Sequence, residues 1–321
     1  MKMLSYFTSI MGLSVLVILV IGIYYSSVSS NIDVVTSPLP DFLSMAKNRE
    51  VRFLDLWLPH IGTTEGSTKM PEVSGRAVLM YELGSEETLF EKNSKERMPM
   101  ASLTKIMTAI VALENPRKDD RYVARGEHLV GEDSMGVTPN ESFTLNELLY
   151  GLMLNSGNDA AEVIAGNYPE GRVEFMRAMN SKVKTLGLSD TEFSNPTGLQ
   201  GDGEQYTTAY DLLVITRYAI EHFPELIEIT STFEKEIAAT DGHKTFFLTN
   251  ETNLISTYPG VKGFKTGYTP EAGMCLVTYL EFKDKKIIGI ILNSESRREE
   301  MRGLLDYSLS QLGEVPPPFK G

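Results

Sequence analysis

Strand-like patterning brackets a long helical stretch, and that arrangement is what most limits the folds open to this chain. Near the start, Arg76 to Tyr81 and Thr88 to Glu91 read as a hairpin with Gly84-Ser85 near its turn. Near the end, Met274 to Phe282 and Lys286 to Leu292 read as another, turning at Lys283-Asp284-Lys285. Between them the spacing predicts helices. Ser102 to Glu114 is ended by Asn115-Pro116, and Thr144 starts a second helix with Glu147 three residues on as a capping box. Arg172 to Leu186 repeats Val173, Met176, Met179 and Val183 at helical spacing before Gly187, a stripe read as core packing rather than a cofactor site. Thr207 or Thr208 caps a helix to about Ala219. Thr232 to Ala238 and Lys244 to Thr249 add antiparallel strands, and Arg297 to Leu312 a last helix. The economical arrangement is α+β, an antiparallel sheet formed from both ends with a helical region between. No GxGxxG, no P-loop and no internal repeat is present, so a doubly wound nucleotide fold has no support.

The first thirty residues point outward. Phe7 to Tyr25 carries no charge, spans about 28 Å as a helix and ends at Tyr24-Tyr25, suiting a transmembrane anchor with an interfacial aromatic belt. A cleaved signal segment ending near Ser27-Val28-Ser29 is the alternative, and a buried helix a third. Either of the first two places the rest outside the cytoplasm, so the expected location is the cell membrane, or a secreted or periplasmic form after cleavage. Residues 31–70 read as a linker, residues 71–313 as the main folded domain and residues 314–321 as a tail. A net charge of -13 argues against nucleic acid as partner, because a phosphate backbone calls for a basic face. Cys275 is the single cysteine, so there is no intramolecular disulfide and no Cys-rich metal site, and its apolar surroundings read as a buried strand.

Three short stretches carry the chemistry: Ser102-Leu103-Thr104-Lys105, Ser156-Gly157-Asn158 and Lys265-Thr266-Gly267. Ser102 and Lys105, one turn apart at a helix start, can meet on one face. A serine hydroxyl attacks once its proton is taken, and a lysine can take it when burial or a second cation depresses its pKa. The apolar residues Ile106, Ala109, Ile110 and Leu113 make that burial feasible. Ser156 and Asn158, in a tight linker between two apolar helical runs, can project into a cleft, one to relay a proton and the other to bind an amide. Lys265 and Thr266, read on a strand edge, suit a carboxylate, while Gly267 lets a substrate backbone approach.

In this order the motifs resemble the D-alanyl-D-alanine carboxypeptidases, low-molecular-mass penicillin-binding proteins of serine peptidase family S11. The resemblance covers roughly residues 71–313. It extends to Pro99-Met100-Ala101 before the nucleophile, Phe193-Ser194-Asn195-Pro196-Thr197-Gly198-Leu199, Thr208-Ala209-Tyr210-Asp211, and Gly263-Phe264 through Tyr268-Thr269 followed by Ala272-Gly273. It implies a beta-lactamase/transpeptidase-like fold: an antiparallel sheet of about five strands flanked by helices, with an all-helical lobe. Ser102 would attack the bond between two terminal D-alanines of a peptidoglycan stem pentapeptide, with Lys105 as general base. Ser156 and Lys265 would assist the leaving amine, Asn158 would position the acyl side and Thr266 would hold the terminal carboxylate. Backbone N–H groups of Ser102 and Tyr268 would form the oxyanion hole. No cofactor or metal is implied, and beta-lactam antibiotics would acylate Ser102.

The chain departs from the pattern at Tyr268, where several relatives carry histidine. It departs again at Asn250-Glu251-Thr252-Asn253-Leu254, where some carry a carboxylate-binding arginine, so carboxylate recognition is expected to rest on Thr266 and Lys265. The C-terminal β-domain and amphipathic helix of many relatives are expected to be absent, with the N-terminal segment attaching the protein to the membrane. A β-lactamase is disfavoured by Ser156-Gly157-Asn158 and by the lack of a Glu-x-x-x-Asn loop. An endopeptidase or transpeptidase using the same nucleophile is the runner-up, and a non-catalytic peptidoglycan-binding protein the alternative from another class.

Overall fold

Strand β1 (Ala77–Glu82) pairs on one side with β2 (Glu87–Lys92) and on the other with β9 (Lys285–Ser294), so the two terminal hairpins meet as expected. The computed structural model describes residues 57–59, 61 and 70–319. The expected anchor at residues 7–25 and most of the linker lie outside them. Among the described residues no helix is long and apolar enough to cross a membrane.

The main sheet runs β2-β1-β9-β8-β7, antiparallel throughout, with β8 (Gly273–Phe282) carrying the edge strand β7 (Val261–Thr269). Both faces are covered. Leu79, Tyr81, Val277, Tyr279, Ile288 and Ile290 pack toward the helical lobe. Their alternates Val78, Met80, Leu276, Leu280, Ile287 and Ile291 pack against Met301, Leu304 and Leu305 of the last helix, α8 (Arg297–Gln311). Burial on both sides explains why β8 and β9 read as nearly continuous apolar runs.

The lobe is built from α1 (Thr104–Glu114), α2 (Leu145–Leu154), α3 (Asn158–Gly166), α4 (Arg172–Thr185) and α5 (Ala209–His222). Every residue of α1 from Thr104 to Ala112 is buried, which makes it the lobe's central helix. Thr144 caps α2 as expected: its side chain accepts from Glu147 N while the Glu147 carboxylate accepts from Thr144 N. Of the two candidate caps for α5, Thr208 is the one used, and the helix continues past Ala219 to His222.

Other expectations need adjusting. Along α4 Met179 and Val183 are buried and Met176 packs against the core as expected, but Phe175 takes the buried place at the start of the helix and Val173 is exposed. The second strand pair is shorter than expected, β5 (Glu234–Ile237) with β6 (Phe246–Thr249). Short β3 (Tyr122–Val123) and β4 (Ser142–Phe143) lie in the polar stretch after α1, and two short helices, α6 (Glu225–Ser231) and α7 (Leu254–Thr257), flank the second pair.

Candidate active site

Ala101–Leu103 form one 3-10 turn that runs directly into α1, with Ala101 held at a φ of 48°. This bend presents Ser102 at the head of the central helix. Ser102 keeps 9% of its exposure whereas Lys105 has none, so the amine is shut off from solvent. Lys105 Nζ lies 2.9 Å from Ser102 Oγ, 2.7 Å from Asn158 Oδ1 and 2.7 Å from the Thr197 carbonyl. Burial depresses the Lys105 pKa well below the usual lysine range, and the neighbouring Lys265 cation adds to the effect against Asp133, Glu251 and Asp159. The two carbonyl oxygens can only accept. A neutral amine therefore spends both N–H donors on them and turns its lone pair to the Ser102 hydroxyl. In that form the amine would face the hydroxyl in the orientation that proton abstraction requires.

The Thr197 carbonyl is placed by Asn195. Its Oδ1 accepts from Thr197 N at 3.1 Å, Thr197 Oγ1 at 2.9 Å and Gly198 N at 2.7 Å, while Nδ2 donates to Leu199 O. Gly198 has a φ of 91°, and a Cβ there would lie 2.0 Å from Ala101 O, so glycine is required where this loop backs the nucleophile turn.

Ser156 and Asn158 occupy the break between α2 and α3. Ser156 sits at a φ of 55°, buried, and its side chain makes no hydrogen bond to Ser102 or Lys105. Gly157 N donates to Gly151 O and Asn158 N to Asp133 O, closing the turn against the preceding loop. That loop is pinned by Asp159, whose carboxylate accepts from the backbone N–H groups of Met135, Gly136 and Val137.

Lys265, Thr266 and Gly267 lie within β7, and register divides them between the two faces of the sheet. Lys265 pairs with Val277 and Gly267 with Cys275, which face the lobe, whereas Thr266 pairs with Leu276, which faces α8. A Cβ on Gly267 would come within 3.2 Å of Ser102 N, so glycine lets the strand lie against the nucleophile turn. Lys265 is fully buried with its pKa lowered to about 8, burial dominating; Glu251 opposes the shift and Arg297 assists it. Tyr268 turns its side chain to solvent. Thr266 Oγ1 donates to Glu251 at 3.0 Å. Cys275 is buried with its thiol pushed up to about 11 by burial, the reading made from its apolar surroundings.

Sequence reasoning assigned no role to the Thr197 carbonyl, Asn195, Asp159 or Arg297. A guanidinium does reach β7, but from the first residue of α8: Arg297 Nη1 donates to Gly267 O at 2.7 Å and Cys275 O at 3.3 Å. The backbone acceptor has no side-chain signature, and only the β7–β8 pairing brings Arg297 near the Lys265-Thr266-Gly267 motif.

Comparison with known proteins places these features. Residues 64–296 match the S11 peptidase family described as D-alanyl-D-alanine carboxypeptidase. The chain is 34% identical over 254 residues to the D-alanyl-D-alanine carboxypeptidase DacF of Bacillus subtilis, covering 76% of this chain and 64% of that protein, just under two thirds of its length. The Streptomyces K15 DD-transpeptidase superposes with a TM-score of 0.71 at 28% identity, over 76% of this chain and all of that one. Penicillin-binding protein D2 of Listeria monocytogenes, solved with ampicillin bound, gives 0.65 at 28% identity over 75% of this chain and all of that one. With the nucleophile turn, the buried lysine and the edge strand arranged on this antiparallel framework, the chain belongs to the S11 serine peptidases, the D-alanyl-D-alanine carboxypeptidase family.

Proposed function

We propose that this protein is a serine D-alanyl-D-alanine carboxypeptidase that removes the terminal D-alanine of peptidoglycan stem pentapeptides through an acyl-enzyme on Ser102. The observation that carries the reading is the buried Lys105 amine, 2.9 Å from Ser102 Oγ with two carbonyl acceptors on its other side. Lys105 takes the Ser102 proton as Oγ attacks the scissile carbonyl. The backbone N–H groups of Ser102 and Tyr268 receive the oxyanion, and Gly267 keeps the two segments close enough to share it. Lys265 and Ser156 pass a proton to the departing amine, and Asn158 holds the acyl-side amide. Thr266 binds the leaving carboxylate, with Arg297 adding positive charge behind the strand. Water then releases the shortened peptide. Beta-lactams acylate the same serine, and the domain works outside the cytoplasm, attached through its N-terminal segment.

Incubating the protein with purified stem peptides and following products by mass spectrometry tests this. The expected product is the pentapeptide less one D-alanine, absent with Ser102→Ala. Cleavage confined to cross-linked dimers would replace the reading with the endopeptidase, which uses the same acyl-enzyme; the fold shared with a DD-transpeptidase keeps amine acceptors within the chemistry of this site.

A further inference from the structure

At the far end of α3 from Asn158, polar groups that the reaction scheme leaves unused line a cleft of about 400 Å³, within the ~300–1,000 Å³ usual for ligand sites. His128, the last residue of the 3-10 turn Gly126–His128, lines it although only 4% exposed. Burial lowers its pKa below the usual histidine range, so the ring is neutral at pH 7 and one nitrogen carries the proton. Nδ1 accepts from Arg125 N at 3.2 Å, which leaves the proton on Nε2. Nε2 stands over Gly166 in the cleft wall, where an added Cβ would come within 2.2 Å of it. It has no hydrogen-bond partner among the described residues. A buried donor is thus turned into the cleft without a protein acceptor.

Arg172 supplies a second donor. Its Nε and Nη2 donate to the two oxygens of buried Glu162 at 2.7 and 3.0 Å, and Nη2 donates to Asp202 at 2.9 Å. Nη1 takes no part in these pairs. Glu127 is loosely paired with Arg125 at 3.8 Å. Each charge lining the cleft therefore has a partner of opposite sign, and an ion has no unpaired charge to meet. A neutral ligand with an acceptor, several hydroxyls and a small apolar group fits this set. In an N-acetylated amino sugar the acetamido carbonyl accepts from His128 Nε2, the methyl meets Val130, and hydroxyls donate to Asp202 and Glu127.

The spacing to the nucleophile agrees. From Asn158 to Gly166, α3 covers about 12 Å at 1.5 Å per residue. In a stem pentapeptide four residues separate the sugar from the scissile bond, about 13–14 Å of extended chain. A second cavity, of about 320 Å³, follows the same chain segments toward the active site, lined by Gly131, Glu132, Leu199 and Thr269 of β7.

Resting on the carboxypeptidase reading above, we propose that the cleft at His128 and Arg172 is a second binding site, which takes an N-acetylated amino sugar of the glycan strand bearing the stem peptide. The enzyme accordingly prefers peptides still joined to their sugar.

The test uses the full chain and two substrates with one pentapeptide, either N-acetylated or carrying the N-acetylglucosaminyl-N-acetylmuramoyl disaccharide. Wild type is compared with His128→Phe and with the double variant Glu127→Ala, Asp202→Ala, whose side chains are exposed; fluorescent penicillin labelling of Ser102 confirms an intact site. In wild type kcat/KM should favour the disaccharide substrate by about tenfold through a lower KM, and this preference should fall to about twofold or less in both variants. A wild-type preference of about twofold or less, or no fall in the double variant, overturns the proposal. If wild type cuts neither substrate yet is labelled by penicillin, the carboxypeptidase reading fails separately. The sugar site is then decided by calorimetric titration with the N-acetylglucosamine tetrasaccharide. Binding that weakens about fivefold or more in the double variant supports it. No binding to wild type, or equal binding to both proteins, overturns it.

Discussion

Lys105 Nζ stands 2.9 Å from Ser102 Oγ, one helical turn along the chain, with the amine wholly removed from solvent. An exposed lysine in the same spacing would stay protonated at neutral pH and could not accept a proton. Burial is what would let this common sequence spacing supply the proposed base. Lys105→Met should therefore slow acylation by fluorescent penicillin by about 10²–10⁴-fold, and Lys105→Arg should do no better, because a guanidinium keeps its proton. Rapid-quench labelling at pH 7 measures this. Near-normal labelling of either variant would remove Lys105 from the mechanism.

In the mechanism proposed above the two buried lysines act in opposite protonation states, which sets the shape expected of the pH profile. Activity should rise as Lys105 loses its proton, on an acid limb well below the ordinary lysine range, and fall as Lys265 loses its own near pH 8. The kcat/KM profile for D-alanine release should be a bell whose alkaline limb lies near 8 and disappears in Lys265→Met, with a lower plateau.

Lys265 also carries a stability cost with a defined sign. Its pKa is about 8 in the fold against about 10.5 for an ordinary lysine, so at pH 7 burial of its charge opposes folding by up to about 3 kcal/mol. The unfolded chain binds the extra proton between pH 8 and 10.5, so this cost fades as pH rises through that window. Lys265→Met should melt several degrees higher than wild type at pH 7, and the gap should narrow toward pH 10. Calorimetry at the two pH values checks it; a gap that widened with pH would contradict the assignment.

Asn195 acts through the Thr197 carbonyl. Asn195→Ala removes the acceptor that fixes Thr197 N, Thr197 Oγ1 and Gly198 N, and frees one of the two acceptors that orient Lys105. The expected outcome is a fall in kcat of about 10–10²-fold with a smaller change in KM, together with a loss of about 2 kcal/mol in stability. An unchanged kcat would show that the carbonyl is held without it.

Gly198→Ala tests the close approach directly. At a φ of 91° and with Ala101 O 2.0 Å from the added Cβ, the loop must move away from the nucleophile turn. Both thermal stability and penicillin labelling should fall, and a variant with wild-type labelling would rule out this packing.

What could be read in advance follows from how far apart the interacting groups lie in sequence. Ser102 and Lys105 were legible because one helical turn fixes their relation locally, and Thr144 with Glu147 for the same reason. The sheet's assembly from both ends was legible because β8 and β9 carry near-continuous apolar runs. Strand β7 was seen only as an edge carrying Lys265 and Thr266, since Lys262, Gly263, Lys265, Thr266 and Gly267 break any apolar alternation; β8 holds it in place, not its own composition. That Thr266 faces α8 while Lys265 faces Ser102 needs the register, which no local pattern shows. Arg297 reads as the ordinary start of a helix, and Val173 as part of a stripe that is buried at Met179 and Val183 but not at Val173 itself.

The most direct test is the titration of the Lys105 side chain itself, followed by ¹⁵N NMR of its Nζ in selectively labelled, unacylated protein, with Lys105→Met to assign the signal. The account predicts a neutral amine at pH 7 and a midpoint far below 10.5 that shifts when Lys265 is replaced. An Nζ that stays an ammonium to pH 10 would contradict it.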